Sequence, residues 1–156
     1  MSEPETPGPD DPTSLYFRFF NEMGIITQLV TTRLEERLPH GLLEPHFRVI
    51  NHLARVGDGR TMQSMATAFQ IPKTTISHQV SVLVRHGLVR VAPNPDDGRS
   101  KCVWLTDSGR SLREDTIAGF AETIVEWSDA ITPDDVGDML PRLERIRAFL
   151  DAERDG

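Results

Sequence analysis

The fold of this chain turns on residues 74–106, "TTISHQVSVLVRHGLVRVAPNPDDGRSKCVWLT". The first part has helical periodicity. At 100° per residue Ile76, Val80, Leu83 and Val84 fall on one face, and Thr74, His78, Ser81 and Arg85 fall opposite. His86-Gly87 stops this helix, because glycine supplies the left-handed conformation that closes a helix C-terminus. The period then changes to two. Residues 88–92 (LVRVA) and 101–106 (KCVWLT) are rich in β-branched and aromatic side chains, and PNPDDGRS between them offers proline and Asp-Gly for a turn. A β-hairpin with a basic tip is expected here.

Upstream lies a second short helix, with Thr61 as its N-cap and Met62, Met65, Ala66 and Phe69 as an inward stripe. The QIP of residues 70–72 separates the two helices, with Pro72 at or next to the start of the next one, where a missing N–H costs nothing. Helix, short turn, helix and hairpin make the order of a winged helix-turn-helix.

Flanking segments complete a mainly α fold with a small β-hairpin wing. Residues 44–56 form a helix with Phe47, Ile50 and Leu53 inward, stopped by the GDG at 57–59. Before it, Phe19, Met23, Ile26 and Val30 make one apolar stripe, and Leu15, Phe17, Phe20, Ile25, Leu29 and Leu34 spread over other faces. One side of this long helix can pack on its own domain; the other calls for a further partner. After the hairpin, Thr106 caps a helix carrying Ile117, Phe120, Ile124 and Trp127. A last helix starts at the TPDD of 132–135 and carries Val136, Leu140, Leu143 and Leu150. Pro141 is expected to kink or break it. Residues 1–13, rich in proline and acid, read as a disordered tail. The expected division is a winged domain at 43–106 and a helical dimerisation region at 14–42 and 107–153.

Composition narrows the function. The chain has 156 residues, a formal charge of −7 and one cysteine, Cys102, which excludes an intrachain disulfide and a cysteine-based zinc site. No apolar run is long enough to span a bilayer and no targeting segment is evident, so a cytoplasmic location is expected. A nucleophile with a base, paired carboxylates and a phosphate-binding glycine loop are all missing at usable spacing, so no enzyme activity and no cofactor are expected. His46 and His52, six residues apart, lack the i, i+4 spacing of a shared metal on a helix.

Charge distribution says more than the total. From Gly59 through Pro95 there is no Asp or Glu, while Arg60, Lys73, Arg85 and Arg90 all fall there. A helix that enters a major groove needs small, polar side chains outward and no acid to repel phosphate. Thr74, Thr75, Ser77, His78 and Ser81 meet that need, and Lys73 and Arg85 flank them as phosphate contacts. Asp96 and Asp97 then stand beside Arg99 and Lys101 at the hairpin tip. Asp97 is expected to hold the Arg99 guanidinium extended for DNA, unless both acids merely form the turn.

The hairpin segment resembles the MarR family of bacterial transcriptional regulators. Asp97, Arg99, Ser100, Val103, Leu105, Thr106 and Gly109 match the family's wing pattern, and residues 71–89 resemble its recognition helix, with Pro72 where Ser or Asp often caps. The resemblance runs from Leu15 to about Leu150. It implies a homodimer joined through the first and last two helices, a pseudo-palindromic double-stranded DNA operator, a repressor role, and release by a small aromatic or lipophilic ligand. It assigns no ligand residues here. Tyr16, Phe17, Phe20 and Trp127 suit a ligand pocket, a core or a dimer interface equally. Two other readings remain: a winged-helix module that binds protein, and a redox-sensing regulator acting through Cys102. The position of Cys102 in a strand argues for plain packing.

Overall fold

The computed structural model describes residues 11–155. Ten of the thirteen residues expected as a tail lie outside that range. Of the other three, Pro12 and Thr13 open the first helix. Asp11 is its N-cap, its carboxylate accepting from the backbone N–H groups of Thr13 (3.0 Å) and Ser14 (3.3 Å).

Among the described residues six helices and three strands follow one another as α1 (Pro12–Glu35), α2 (Glu44–Val56), β1 (Arg60–Thr61), α3 (Met62–Phe69), α4 (Lys73–Arg85), β2 (Val89–Pro93), β3 (Lys101–Leu105), α5 (Asp107–Trp127) and α6 (Pro133–Asp155). The antiparallel sheet has the order β1-β3-β2. Val89 pairs with Leu105 and Pro93 with Lys101 across the hairpin, while Arg60 and Thr61 pair with Val103 and Cys102 on the other side of β3. The two-residue β1 was not expected, since so short a strand has no periodicity to read. Two compact units divide between Thr116 and Ile117, inside α5.

The core of the first unit gathers Val49, Ile50 and Leu53 of α2, Met65 and Ala66 of α3, and Ile76, Val80 and Leu83 of α4. Leu88, Val89, Val103 and Leu105 close it from the hairpin side. On α4 the expected inward set changes at three positions: Val84 is exposed, while Gln79 is buried and Val82 packs against the core. Helix α1 is the larger departure. None of its residues is buried, and Tyr16 and Phe17 are 66% and 72% exposed. Leu34, at its end, packs on the core. Neither face of most of α1 is therefore used within its own unit.

In the second unit Phe120 and Trp127 meet edge to face, with centroids 5.8 Å apart. Helix α6 is not broken at Pro141 but runs through it to Asp155, so the helical bond that the carbonyl of Gly137 would accept is lost without ending the helix. Its start is capped reciprocally: the Thr132 hydroxyl and N–H both donate to the Asp135 carboxylate, and the Asp135 N–H donates to the Thr132 Oγ1. These bonds, the hydroxyl's first, hold the pKa of Asp135 below the ordinary carboxylate value.

Candidate nucleic-acid interface

Three elements build the site: α3, α4 and the β2–β3 hairpin. Helix α3 begins at Thr61, whose Oγ1 accepts from the Ser64 N–H at 3.1 Å, and ends at Gln70 with φ +55. That left-handed residue turns the chain into Pro72, whose carbonyl accepts from the N–H groups of Thr75 (3.0 Å) and Ile76 (3.3 Å). No side chain caps the N-terminus of α4. The outward face of α4 is close to the sequence reading, with Lys73, Thr74, Thr75, His78, Ser81 and Arg85 all exposed. Ser77 is the exception. It is half-buried, and its hydroxyl donates to the Met62 Sδ of α3 at 3.3 Å. Ser81 donates back to the Ser77 carbonyl at 2.8 Å, leaving its oxygen lone pairs outward.

The hairpin tip is a network of local bonds. Asn94 spans it, its N–H donating to the Ser100 carbonyl and its Nδ2 to the Ser100 Oγ, both at 3.0 Å. Asn94 Oδ1 accepts from the Asp96 N–H at 3.1 Å. Asp97 does not grip the Arg99 guanidinium as expected. Its Oδ1 accepts from the Arg99 backbone N–H at 3.1 Å, and its carbonyl accepts from the Ser100 N–H, also at 3.1 Å. Carboxylate and backbone are close enough for a tight turn, and the guanidinium on its long stem stays exposed. Arg99, Lys101 and Lys73 nonetheless converge, lining one cleft of about 540 Å³ between the hairpin and α3–α4. Gln63 and Asn94 line it too, and no charge or period in the sequence singled either out.

Other motif residues fasten this site rather than face outward. Thr106 donates its hydroxyl to the Gly87 carbonyl at 2.6 Å, accepts from the Gly109 N–H at 3.1 Å, and sends its own N–H to the Leu88 carbonyl. Gly109 has no room for a side chain, since a Cβ there would lie 2.1 Å from the Leu88 carbonyl oxygen. Asp58 accepts from the Leu105 N–H at 2.9 Å and pairs with Arg110, tying the strand to α5. Arg60 donates to the carbonyls of Val56 and Gly57 at the end of α2. Arg90 stacks over Trp104 at 5.1 Å, and Trp104 in turn needs Gly59 (φ +76), where a Cβ would come within 2.8 Å of its ring. Two of the four cations in the acid-free stretch therefore work within the protein. A two-residue strand and a long-range carboxylate leave no local pattern, so Asp58 and Arg60 were not legible as fasteners.

The histidines are placed without a metal set; among the described residues no three His, Cys, Asp or Glu side chains could hold a metal ion. Burial lowers the pKa of His46, against an opposing pull from the backbone of Leu43; the neighbouring His78 and His86 lower it further, and Glu35 opposes them least. Its Nδ1 accepts from the Leu43 N–H at 3.0 Å, a bond that requires the nitrogen to be unprotonated. Burial also lowers the pKa of His52, assisted by Arg55 and Arg60. His40 and His86 stack with centroids 5.2 Å apart beside a second cavity of about 480 Å³ that Leu88, Leu112 and Ser111 also line. Cys102 is 2% exposed on the central strand, so its thiol is enclosed. No helix among the described residues is long and apolar enough to cross a membrane.

These features define a winged helix-turn-helix protein: a helix pair, a three-stranded wing, and a polar, cationic outer face on the second helix. Residues 40–100 match the model of the MarR family. Solved structures share the fold across most of the chain. The transcriptional regulator BldR from Sulfolobus solfataricus superposes with a TM-score of 0.75 at 19% identity, covering 88% of this chain and 98% of its own. A MarR transcriptional regulator from Methanosarcina mazei Go1 gives 0.75 at 20% identity, with coverage of 88% and 98%. A MepR variant from S. aureus, solved bound to an oligodeoxyribonucleotide, gives 0.58 at 22% identity, with coverage of 85% and 97%. No curated protein sequence matches the chain.

Proposed function

We propose that the protein is a transcriptional regulator that binds double-stranded DNA, with α4 in the major groove and the Arg99 tip of the wing in the minor groove. One observation carries this reading. Exposed Lys73, Thr74, His78, Ser81 and Arg85 form an acid-free face on α4, and Lys73 shares a cleft with Arg99 and Lys101 from the wing. Small polar groups can approach base edges, and cations on either side can meet phosphates. The uncapped N-terminus of α4 adds backbone N–H groups and the positive end of a helix dipole. The solved MepR complex with an oligodeoxyribonucleotide gives the reading a precedent in the same fold.

Its finer parts are a homodimer, a pseudo-palindromic operator, a repressor role, and release by a small aromatic or lipophilic ligand. The exposed apolar surface of α1 supports the dimer. The cavity beside His40 and His86, with Leu88 and Leu112 in its lining, supports a ligand that is flat and partly apolar. A regulator is also what the match to the MarR family leads one to expect, in place of an enzyme. A gel shift with duplex from the gene's own upstream region, repeated over a salt series, tests the reading. Specific binding that weakens with salt is expected, and Lys73→Ala should lower the slope of log K against log salt by about one. Failure to bind any duplex at low salt would leave a protein-binding winged helix as the better account.

A further inference from the structure

The sulfur that a redox signal can reach in this protein is a thioether, not the thiol. Cys102 and Met65 are enclosed, at 2% and 0% exposure. Met62 is half-buried and lines the open cleft beside Lys73, Arg99 and Lys101. It is the first residue of α3, packs on the core with its apolar side, and accepts the Ser77 hydroxyl of α4 on Sδ at 3.3 Å. One side chain thus joins the two helices, the core and the cationic cleft.

We propose that Met62 is an oxidation site through which a hypohalous acid weakens DNA binding. The effect on DNA rests on the DNA-binding reading above; the chemistry at sulfur does not. The sulfur lone pair attacks the chlorine of hypochlorous acid and hydroxide departs. Water then adds to the chlorosulfonium sulfur, chloride leaves and two protons are lost, one neutralising that hydroxide. The net change is sulfide plus hypochlorous acid to sulfoxide, chloride and a proton. Sulfur loses two electrons and chlorine gains them.

A sulfoxide differs from a thioether where Met62 sits. A weak acceptor becomes a strong, bulky one, and a flexible apolar side chain becomes polar. Against the core the new oxygen has no partner, so it turns either to the Ser77 hydroxyl, pushing α4 from α3, or into the cleft. There its negative end would face the phosphate that Lys73 and Lys101 attract. Both outcomes lower affinity, and both leave the polar face of α4 chemically intact. Met23 and Met139 are more open to solvent, but neither lines the cleft.

The full-length protein, treated with a stoichiometric amount of hypochlorous acid and quenched, is compared with untreated protein in DNA binding and peptide mass. Wild type is expected to gain one oxygen on Met62 and lose affinity by a factor of ten or more, and methionine sulfoxide reductase should restore it. Met62→Leu, close in size, should keep after treatment whatever affinity it has before it, while the double variant Met23→Leu with Met139→Leu should respond like wild type. Met62→Gln, polar like the sulfoxide, should bind weakly without oxidant. If Met62→Leu loses affinity as wild type does, or if protein oxidised at Met62 binds fully, the proposal is overturned. If untreated protein binds no duplex, the DNA reading fails by itself. Peptide mass then decides the sulfur chemistry: Met62 converting supports the site, and Met62 staying intact while Met23 and Met139 convert overturns it.

Discussion

At the scale of single residues, Asp97 changes the account of the wing. An acid beside two cations suggests charge pairing, yet its carboxylate holds the Arg99 backbone N–H and not the guanidinium. The two roles separate by substitution. Asparagine keeps the accepting oxygen and loses the charge, so Asp97→Asn should bind DNA at least as tightly as wild type. Asp97→Ala loses the turn and should bind more weakly, although it removes a negative charge near phosphate. Arg99→Ala should cost about tenfold, roughly 1.4 kcal/mol, with the melting temperature unchanged, because its side chain is exposed. Titration of labelled duplex with the three variants checks this. An Asp97→Asn protein as weak as Asp97→Ala would restore the ion-pair account.

Single elements show how much of the site was legible and why the rest was not. Rotation by 100° put Thr74, His78, Ser81 and Arg85 of α4 on one outward face, and all four are exposed; Lys73 and Thr75, chosen for charge and polarity, are exposed as well. Ser77 differed because its direction is set by a sulfur fifteen residues away in sequence, which periodicity cannot see. The hairpin strands were legible from their β-branched content, whereas β1 became a strand through its pairing with β3. Helix α2 carries a pH dependence that no sequence pattern gave. With the pKa of His46 lowered in the folded state, the unfolded chain takes up this proton first as pH falls. Stability from this group is present above the unfolded value of about 6.5 and is lost as pH falls from there toward the lower folded value. Protonation also removes the acceptor for the Leu43 N–H. Wild type should therefore lose more melting temperature between pH 7.5 and pH 5.5 than His46→Gln does. Equal losses in calorimetry would place the acid sensitivity elsewhere.

For the whole molecule, the main issue is apolar surface. Leu15, Tyr16, Phe17, Ile26 and Leu29 of α1 are exposed, and so are Val125, Met139, Leu140, Phe149 and Leu150 of the second unit. Exposed apolar surface of this kind, on each unit taken by itself, marks an interaction site. A second copy of the chain is the occupant that the two-fold geometry of a pseudo-palindromic operator would match, with half-sites about 10 base pairs apart. Light scattering at micromolar concentration should give twice the chain mass of 17.5 kDa. Ile26→Asp, which puts a charge on that surface, should shift the mass toward one chain. A wild-type protein of single mass would exclude the dimer. The sequence foresaw a two-sided first helix but gave one side to its own domain. Periodicity reports which residues share a face, not what covers it.

The shortest strand has a consequence of its own. Thr61 pairs with Cys102 and is at once the N-cap of α3, so β1 and β3 clip the ends of a long closed loop that contains both α3 and α4. Each helix can form from local contacts, but their common orientation is fixed when the two distant strands meet, and such loop closure carries an entropy cost that only long-range contacts repay. During synthesis, then, α4 is made early and aimed late. A nascent chain that has not yet emerged through Leu105 has its α4 sequence but no fixed direction in which to present it.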